Sequence, residues 1–287
     1  MSNDASRPAR TLIPAAGTLI TVAPTGAETA KADCPQLPTT LTELVVTAVA
    51  CEAEGASLIH IHIRDDEHLP SLDAVLLRET VAAVREQTSL VVQLSTGGSV
   101  HDPLEKRLTV LDAEPDSCSL TCGTTNFGDD VFLNPYPFMS QLYQLAQERE
   151  IVPEFELFDL GHVAALRRLI DSFGLPFGGK VHVDFVTGVP GGMPGTPAAL
   201  LAGIAALPAE VTSWSATGIG RSHLPIAATA IACGGHLRVG MEDNLIYAKG
   251  QPVELVSRAA DLARLMQRPP LTTDQARALL GVKHRRA

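Results

Sequence analysis

Residues Leu41 to Asp66 read LTELVVTAVACEAEGASLIHIHIRDD, an Ala/Val-rich stretch followed by a short run of alternating isoleucine and histidine. Leu41 to Glu54 has the length and composition of a helix, and Leu58 to Ile63 those of a buried strand. Asp65, Asp66 and Glu67 end that strand in polar loop. The same alternation runs along the whole chain. Strands are expected at Thr18 to Ala23, Leu58 to Ile63, Leu90 to Ser95, Ser117 to Cys122, Val152 to Phe158, Lys180 to Val186, Val211 to Ala216 and His236 to Met241. Helices are expected at Leu41 to Glu54, Asp73 to Glu86, Pro137 to Glu150, His162 to Phe173, Pro197 to Ala206, Pro225 to Cys233 and Val253 to Met266, with a short one at Thr273 to Leu280. Eight strand-helix units in about 270 residues match a single-domain (β/α)8 TIM barrel in count and size. A doubly wound sheet is the alternative, since periodicity does not reveal closure, but no G-x-G-x-x-G follows the first strand.

The 287 residues are expected to form one domain, with an N-terminal arm over residues 1–16 and a short helical tail over residues 270–287. The basic end, Lys283 to Arg286, reads as a solvated tail. Hydrophobic residues make up 45% and charged ones 19%, enough apolar mass for one large core. Lysine and arginine number 22 against 32 acids, a net charge of -10, so no basic face exists to attract nucleic acid. The five cysteines are scattered and none forms C-x-x-C, which points to reduced thiols in the cytoplasm. The opening residues carry no secretory pattern, and no apolar run approaches the roughly 20 residues of a membrane span.

His60 and His62 stand two apart on an apolar strand, so their side chains share a face and can converge on one ion. In a barrel the chemistry sits at the C-terminal ends of the strands, where Ser95, Ser119, Glu154, Glu156, Arg238 and Glu242 fall. Strand eight lies one strand away from strand two in a closed barrel, so Glu242 can complete a His2Glu set with His60 and His62. That set suits zinc(II) best, with iron(II) and manganese left open because the arrangement does not select one metal. His182 with Asp184 is the competing ligand pair; Cys118 reads as core packing.

With these residues in hand, the chain resembles the β-keto acid cleavage enzyme family over nearly its whole length. The matching blocks are Thr25-Gly-Ala-Glu28, His60-Ile-His-Ile-Arg-Asp65, Gln93-Leu-Ser-Thr-Gly-Gly98, Asn126-Phe-Gly-Asp-Asp130, Gly188-Val-Pro-Gly-Gly-Met193 and Arg238-Val-Gly-Met-Glu-Asp-Asn244. The resemblance implies a zinc-dependent (β/α)8 barrel that performs a retro-Claisen reaction between a β-keto acid and acetyl-CoA, yielding acetoacetate and an acyl-CoA. It implies zinc on His60, His62 and Glu242, catalytic roles for Arg238, Asp243 and Ser95, and substrate-binding positions at Glu28, Ser119 and Glu156. It also implies a homo-oligomer, a tetramer; the apolar residues of the arm, Leu12, Ile13 and Pro14, are expected to pack on a neighbour.

Asp243, held by Arg238, is expected to act as base, although an arginine partner alone lowers a carboxyl pKa. Gly218, Gly220 and Arg221, opening a helix after strand seven, offer backbone N-H groups and a cation for a CoA phosphate. Glu28 and Glu156 favour an amine-bearing substrate such as 3-keto-5-aminohexanoate, and with it lysine degradation, by charge complementarity. Two other readings stand beside this one: a metal-dependent hydrolase on the same barrel, and a non-catalytic barrel that binds a metal or a small acid.

Overall fold

The structure, a computed structural model, describes residues 17–247 and 251–285. Eight parallel strands form the barrel: β1 (Ile20–Val22), β2 (Leu58–Ile61), β3 (Val91–Leu94), β4 (Ser117–Thr121), β5 (Val152–Leu157), β6 (Val181–Thr187), β7 (Val211–Gly218) and β8 (His236–Val239). β1 pairs in parallel with both β2 and β8, with Val22 opposite Ile59 and Thr21 opposite Arg238. The sheet therefore closes, which rules out the doubly wound alternative. Nearly every strand residue is buried, as expected where helices cover one face and packed side chains fill the other.

Helices α1 (Leu41–Glu54), α2 (Ala74–Gln87), α3 (Leu104–Leu108), α4 (Tyr136–Glu148), α5 (Leu160–Phe173), α6 (Pro197–Ala206), α7 (His223–Ala232) and α8 (Pro252–Leu265) follow the strands in turn, and α9 (Thr273–Leu280) ends the fold. Local chemistry sets their ends. Thr40 and Glu43 form a capping box at the start of α1, and Gly55, at φ 113°, stops it in a left-handed conformation that a glycine adopts freely. Asp73 caps α2 by accepting from the Val75 and Leu76 amides. The third helix was absent from the sequence expectation. It is only five residues long, continued by a 3-10 turn over Thr109–Ala113, and so falls below the length at which helical periodicity shows.

The tail closes the N-terminal end of the barrel. Ala276, Leu280 and Val282 pack against Leu19, Leu58, Val91 and Val152 as a hydrophobic cluster separate from the main core. Buried Asp116 fastens this end, accepting from Arg85 (2.9 Å), Arg277 (3.2 Å) and the Val92 amide (3.0 Å). Lys283 and Arg285 are not merely solvated: Lys283 pairs with Glu150 at 2.8 Å, and Arg285 donates to the Arg149 and Glu150 carbonyls. Arg286 and the arm residues Leu12, Ile13 and Pro14 lie outside the described residues. No helix among the described residues is long and apolar enough to cross a membrane.

Candidate active site at the barrel mouth

His60 is the last but one residue of β2, on the inward face, and His62 follows just beyond the strand. The ring centroids are 5.3 Å apart. Glu242 comes from the other side of β1, but not on a strand. β8 stops at Val239, and the chain turns at Gly240, where the Asp243 and Asn244 amides donate back to the Gly240 carbonyl. A Cβ at Gly240 would overlap the Ala23 carbonyl, so β1 and this turn meet closely only at a glycine. On an extended strand Glu242 and Asp243 would face opposite ways; the turn lets both reach Arg238. Gly26 clears the remaining path, because a Cβ there would lie 2.6 Å from Glu242 Cγ.

Glu242 Oε1 lies 3.6 Å from His62 Nε2 and 3.9 Å from His60 Nε2, and one ligand atom from each of the three residues falls within 4.8 Å of the others. The His60 Nδ1 meets Gln93 Oε1 at 2.5 Å, while Gln93 Nε2 donates to Ser117 Oγ at 3.1 Å. An amide oxygen only accepts, so the ring proton sits on Nδ1 and the Nε2 lone pair faces Glu242. Burial, with the nearby Arg238 charge, pushes the His60 pKa down to about 3, which keeps the imidazole neutral. Glu242 Oε2 is buried without a hydrogen-bond partner. Two imidazoles and a carboxylate with an unpartnered oxygen are a donor set that a divalent cation satisfies.

The next two residues of the histidine motif build the surroundings. Buried Arg64 donates to the Gly26 carbonyl from Nε (3.0 Å) and Nη2 (2.6 Å), and to the Thr29 carbonyl at 3.0 Å, which pins the loop after β1. Asp65 Oδ1 accepts from the Glu67 and Leu69 amides and shapes the turn beyond.

Arg238 is the hub beside the triad. Its Nε donates to Asp243 Oδ2 (3.0 Å), Nη1 to Glu156 Oε1 (3.0 Å), and Nη2 to Asp243 Oδ1 (3.1 Å) and to Glu242. Burial alone would lower the guanidinium pKa, but Asp243, Glu242, Glu156 and Asp184 hold it well above its ordinary value. The Asp243 carboxyl is not lowered as its arginine partner alone would make it. Burial outweighs the arginine and pushes its carboxyl up to about 6, with Glu242 and Glu156 adding to the rise.

Beneath this layer the barrel interior holds Glu154, Asp184 and His182. The His182 nitrogens pair with Ser213 Oγ (2.7 Å) and Ser215 Oγ (2.9 Å), and Asp184 Oδ2 accepts from Thr217 Oγ1 (2.6 Å). Both imidazole nitrogens are thus engaged, whereas Asp184 Oδ1 and Glu154 Oε1 are buried without a hydrogen-bond partner; among the described residues only His60, His62 and Glu242 bring three ligand atoms together. Burial, together with the Asp184 and Glu156 charges, pushes Glu154 up to about 8. A raised carboxyl stabilises the fold fully below its unfolded pKa, near 4.5, and that contribution is lost as pH rises through about 8. Glu154→Gln, which stays neutral, is expected to flatten the fall in unfolding free energy between about pH 5 and about pH 8, as read by urea melts at stepped pH.

The mouth opens as a cavity of about 370 Å³ lined by Glu28, His60, His62, Ser95, Glu156, Arg238, Glu242 and Asp243 among others. Ser95 Oγ accepts from the Gly97 amide at 3.2 Å, which leaves its own O-H free to donate. Glu28 is exposed at the rim. Glu156 is not a free carboxylate, since Arg238 and Thr121 Oγ1 (2.7 Å) occupy both its oxygens. Ser119 does not reach the cavity; it is buried, and its hydroxyl accepts from the Thr96 amide at 3.2 Å. Gly218, Gly220 and Arg221 also lie outside the lining, although Ile219 between them is part of it. Arg221 is exposed on the loop into α7, and that loop is tied to the Glu242 turn by the Gly220 amide on the Asp243 carbonyl (2.9 Å).

Sequence reasoning missed the far wall. Phe127 and Phe132 stand on a hairpin after β4 that pairs Thr125–Phe127 with Asp130–Phe132, and Phe158, Val186, Val189 and Ile219 follow at the ends of β5 to β7. The signal was present as apolar residues on both sides of Gly128-Asp129, a hairpin pattern.

A family model described as beta-keto acid cleavage enzyme matches residues 18–282. The chain belongs to the beta-keto acid cleavage enzyme family. Among relatives, the 3-keto-5-aminohexanoate cleavage enzyme of Acetoanaerobium sticklandii is 36% identical over 270 residues, which cover 92% of this chain and 98% of that one. The 3-oxoadipate:acetyl-CoA acetyltransferase of Cupriavidus necator is 33% identical, over 92% of this chain and 94% of its own. Family members thus carry names with a cationic and an anionic keto acid, so membership does not define the acyl substituent. Among solved structures, apo ObcA superposes with a TM-score of 0.76 at 20% identity, over 86% of this chain. The chain spans 66% of that longer protein, and the likeness bears on the barrel fold alone.

Proposed function

We propose that this family member cleaves a β-keto acid with acetyl-CoA. The acyl group of the keto acid passes to CoA, and its carboxymethyl part leaves joined to the acetyl group as acetoacetate. The observation that carries the reading is the convergence of His60, His62 and Glu242 with the Arg238–Asp243 pair in one cavity. Zinc, held by His60, His62 and Glu242, would supply Lewis acidity toward the carboxylate and ketone oxygens of the keto acid.

The chain's own residues supply the rest. Arg238 grips both oxygens of Asp243 and so presents that carboxyl in one orientation. A carboxyl pushed up to about 6 takes and returns a proton near neutral pH, and Asp243 is the acid-base group in this reading. Ser95 donates its free hydroxyl to oxygen where negative charge develops. Glu156 braces Arg238 from below, so its role is to position the arginine. Arg221 and the amides opening α7, with Gly218 and Gly220 allowing the tight turn, meet a phosphate of acetyl-CoA. An amine-bearing substrate now rests on Glu28 alone, as Glu156 is engaged.

A cytoplasmic homo-oligomer, a tetramer, completes the proposal, and the five free cysteines fit a reducing compartment. The test is incubation of metal-analysed protein with a panel of β-keto acids, with and without acetyl-CoA, followed by mass spectrometry. Acetoacetate that forms only with acetyl-CoA is the expected result. Cleavage of the keto acid to its free acyl acid and acetate without acetyl-CoA would install the metal-dependent hydrolase instead, and no product from any member would leave a non-catalytic barrel.

A further inference from the structure

We propose that the β-keto acid taken by this enzyme carries an uncharged hydrocarbon acyl substituent, seated on the apolar wall that faces His60, His62 and Glu242 across the barrel mouth. The inference rests on the cleavage reading above.

The barrel divides the cavity into two chemical halves. Its ionisable lining residues come from the ends of β1, β2, β5 and β8: Glu28, the two histidines, Glu156, and the group Arg238, Glu242 and Asp243. The ends of β4 to β7 contribute Phe127, Phe132, Phe158, Val186, Val189 and Ile219. Five of these six form a hydrophobic cluster of their own, separate from the packed core. A cluster of this kind at an open mouth has no structural partner to cover, and a ligand's hydrocarbon part is what it suits.

The wall is built before any ligand arrives. Phe127 contacts Phe132 edge-on at a centroid distance of 6.1 Å and Phe158 at 6.2 Å. The hairpin that bears the first two is fastened to the loop after β6 by the Gly128 amide on the Pro190 carbonyl, at 3.0 Å. Behind Phe132, Arg107 stacks on the ring but donates to the Thr96 and Leu133 carbonyls and to Asn134, so it directs no charge through the wall.

A keto acid held by its carboxylate and ketone oxygens beside the histidines must direct its substituent across the cavity. An ammonium or carboxylate on that substituent would leave water for a surface with no counter-charge. Glu156 offers none, being engaged by Arg238 and Thr121, and Glu28 stands exposed at the opposite rim, with Arg64 already within its field.

The test compares kcat/KM at saturating acetyl-CoA for 3-oxopentanoate, 3-oxohexanoate, 5-methyl-3-oxohexanoate, 5-amino-3-oxohexanoate and 3-oxoadipate, reading acetoacetate and acyl-CoA by mass spectrometry. Each added methylene is expected to raise kcat/KM about fourfold until the wall is filled. Both charged members are expected about 100-fold or more below the best hydrocarbon. Ile219→Glu, at the half-exposed edge of the wall, is expected to shift that preference toward the amine. A charged member equal to or better than the hydrocarbons overturns this inference and leaves cleavage standing. Values within about threefold across the panel, with Ile219→Glu raising KM for acetyl-CoA alone, also overturn it, by assigning the wall to the pantetheine arm. No acyl-CoA from any member removes the cleavage reading itself.

Discussion

Arg238→Met is expected to lower the unfolding free energy by about 3–5 kcal/mol and to abolish turnover together. The guanidinium is the shared partner of three carboxylates, Glu156, Glu242 and Asp243, and its side chain is 4% exposed. Methionine fills a similar volume, so packing loss is small, and what remains is a buried acidic cluster without its cation. Those carboxyls would answer by holding protons at higher pH, which removes the ionised acceptors around which the mouth is built. Urea melts at neutral pH read the stability loss. A double variant, Arg238→Met with Glu156→Gln, separates the electrostatic cause from simple mispacking. If uncompensated charge is the cause, removing one acid recovers part of the loss; a double variant no more stable than Arg238→Met would sink the account.

How much of this was legible beforehand depends on how local the determining interactions are. The barrel followed from eight alternations of strand and helix, because each unit announces itself within about 30 residues. The approach of Glu242 to His60 and His62 followed from strand adjacency in a closed sheet. The means did not: the strand ends at Val239, and a turn, permitted by Gly240 against Ala23, presents the carboxylate. Nothing in the local sequence distinguishes that turn from two more strand residues. Glu156 looked free because its partners, Arg238 and Thr121, stand 82 and 35 residues away. Ser119 looked like a pocket residue because it stands toward the C-terminal end of a strand and the resemblance implied a binding role, yet the loop after β3 folds over it through Thr96. The apolar wall was missed because its six residues come from four separate segments, and only the hairpin of Phe127 and Phe132 left a local signal.

His60→Ala is expected to abolish stoichiometric metal binding and to reduce turnover about 1000-fold or more, the scale of several kcal/mol of lost charge stabilisation. The side chain is nearly fully buried, its Nε2 directed at Glu242 and its Nδ1 proton fixed by Gln93. This second interaction makes a sharper test than the ligand itself. Gln93→Leu leaves all three donor atoms in place but removes the acceptor that selects the tautomer and aims the ring. Metal affinity is expected to fall about 10–100-fold in that variant, measured by competition with a chromogenic chelator. His182→Gln, which alters a buried histidine with both nitrogens bonded to serines, is expected to keep metal content at the wild-type level. The contrast decides which histidines hold the ion, because His60 and His182 are equally buried on opposite strands of one barrel, β2 and β6, and differ in what their nitrogens meet. Full metal retention in His60→Ala, or its loss in His182→Gln, would move the centre away from the barrel mouth and with it the chemistry assigned to Arg238 and Asp243.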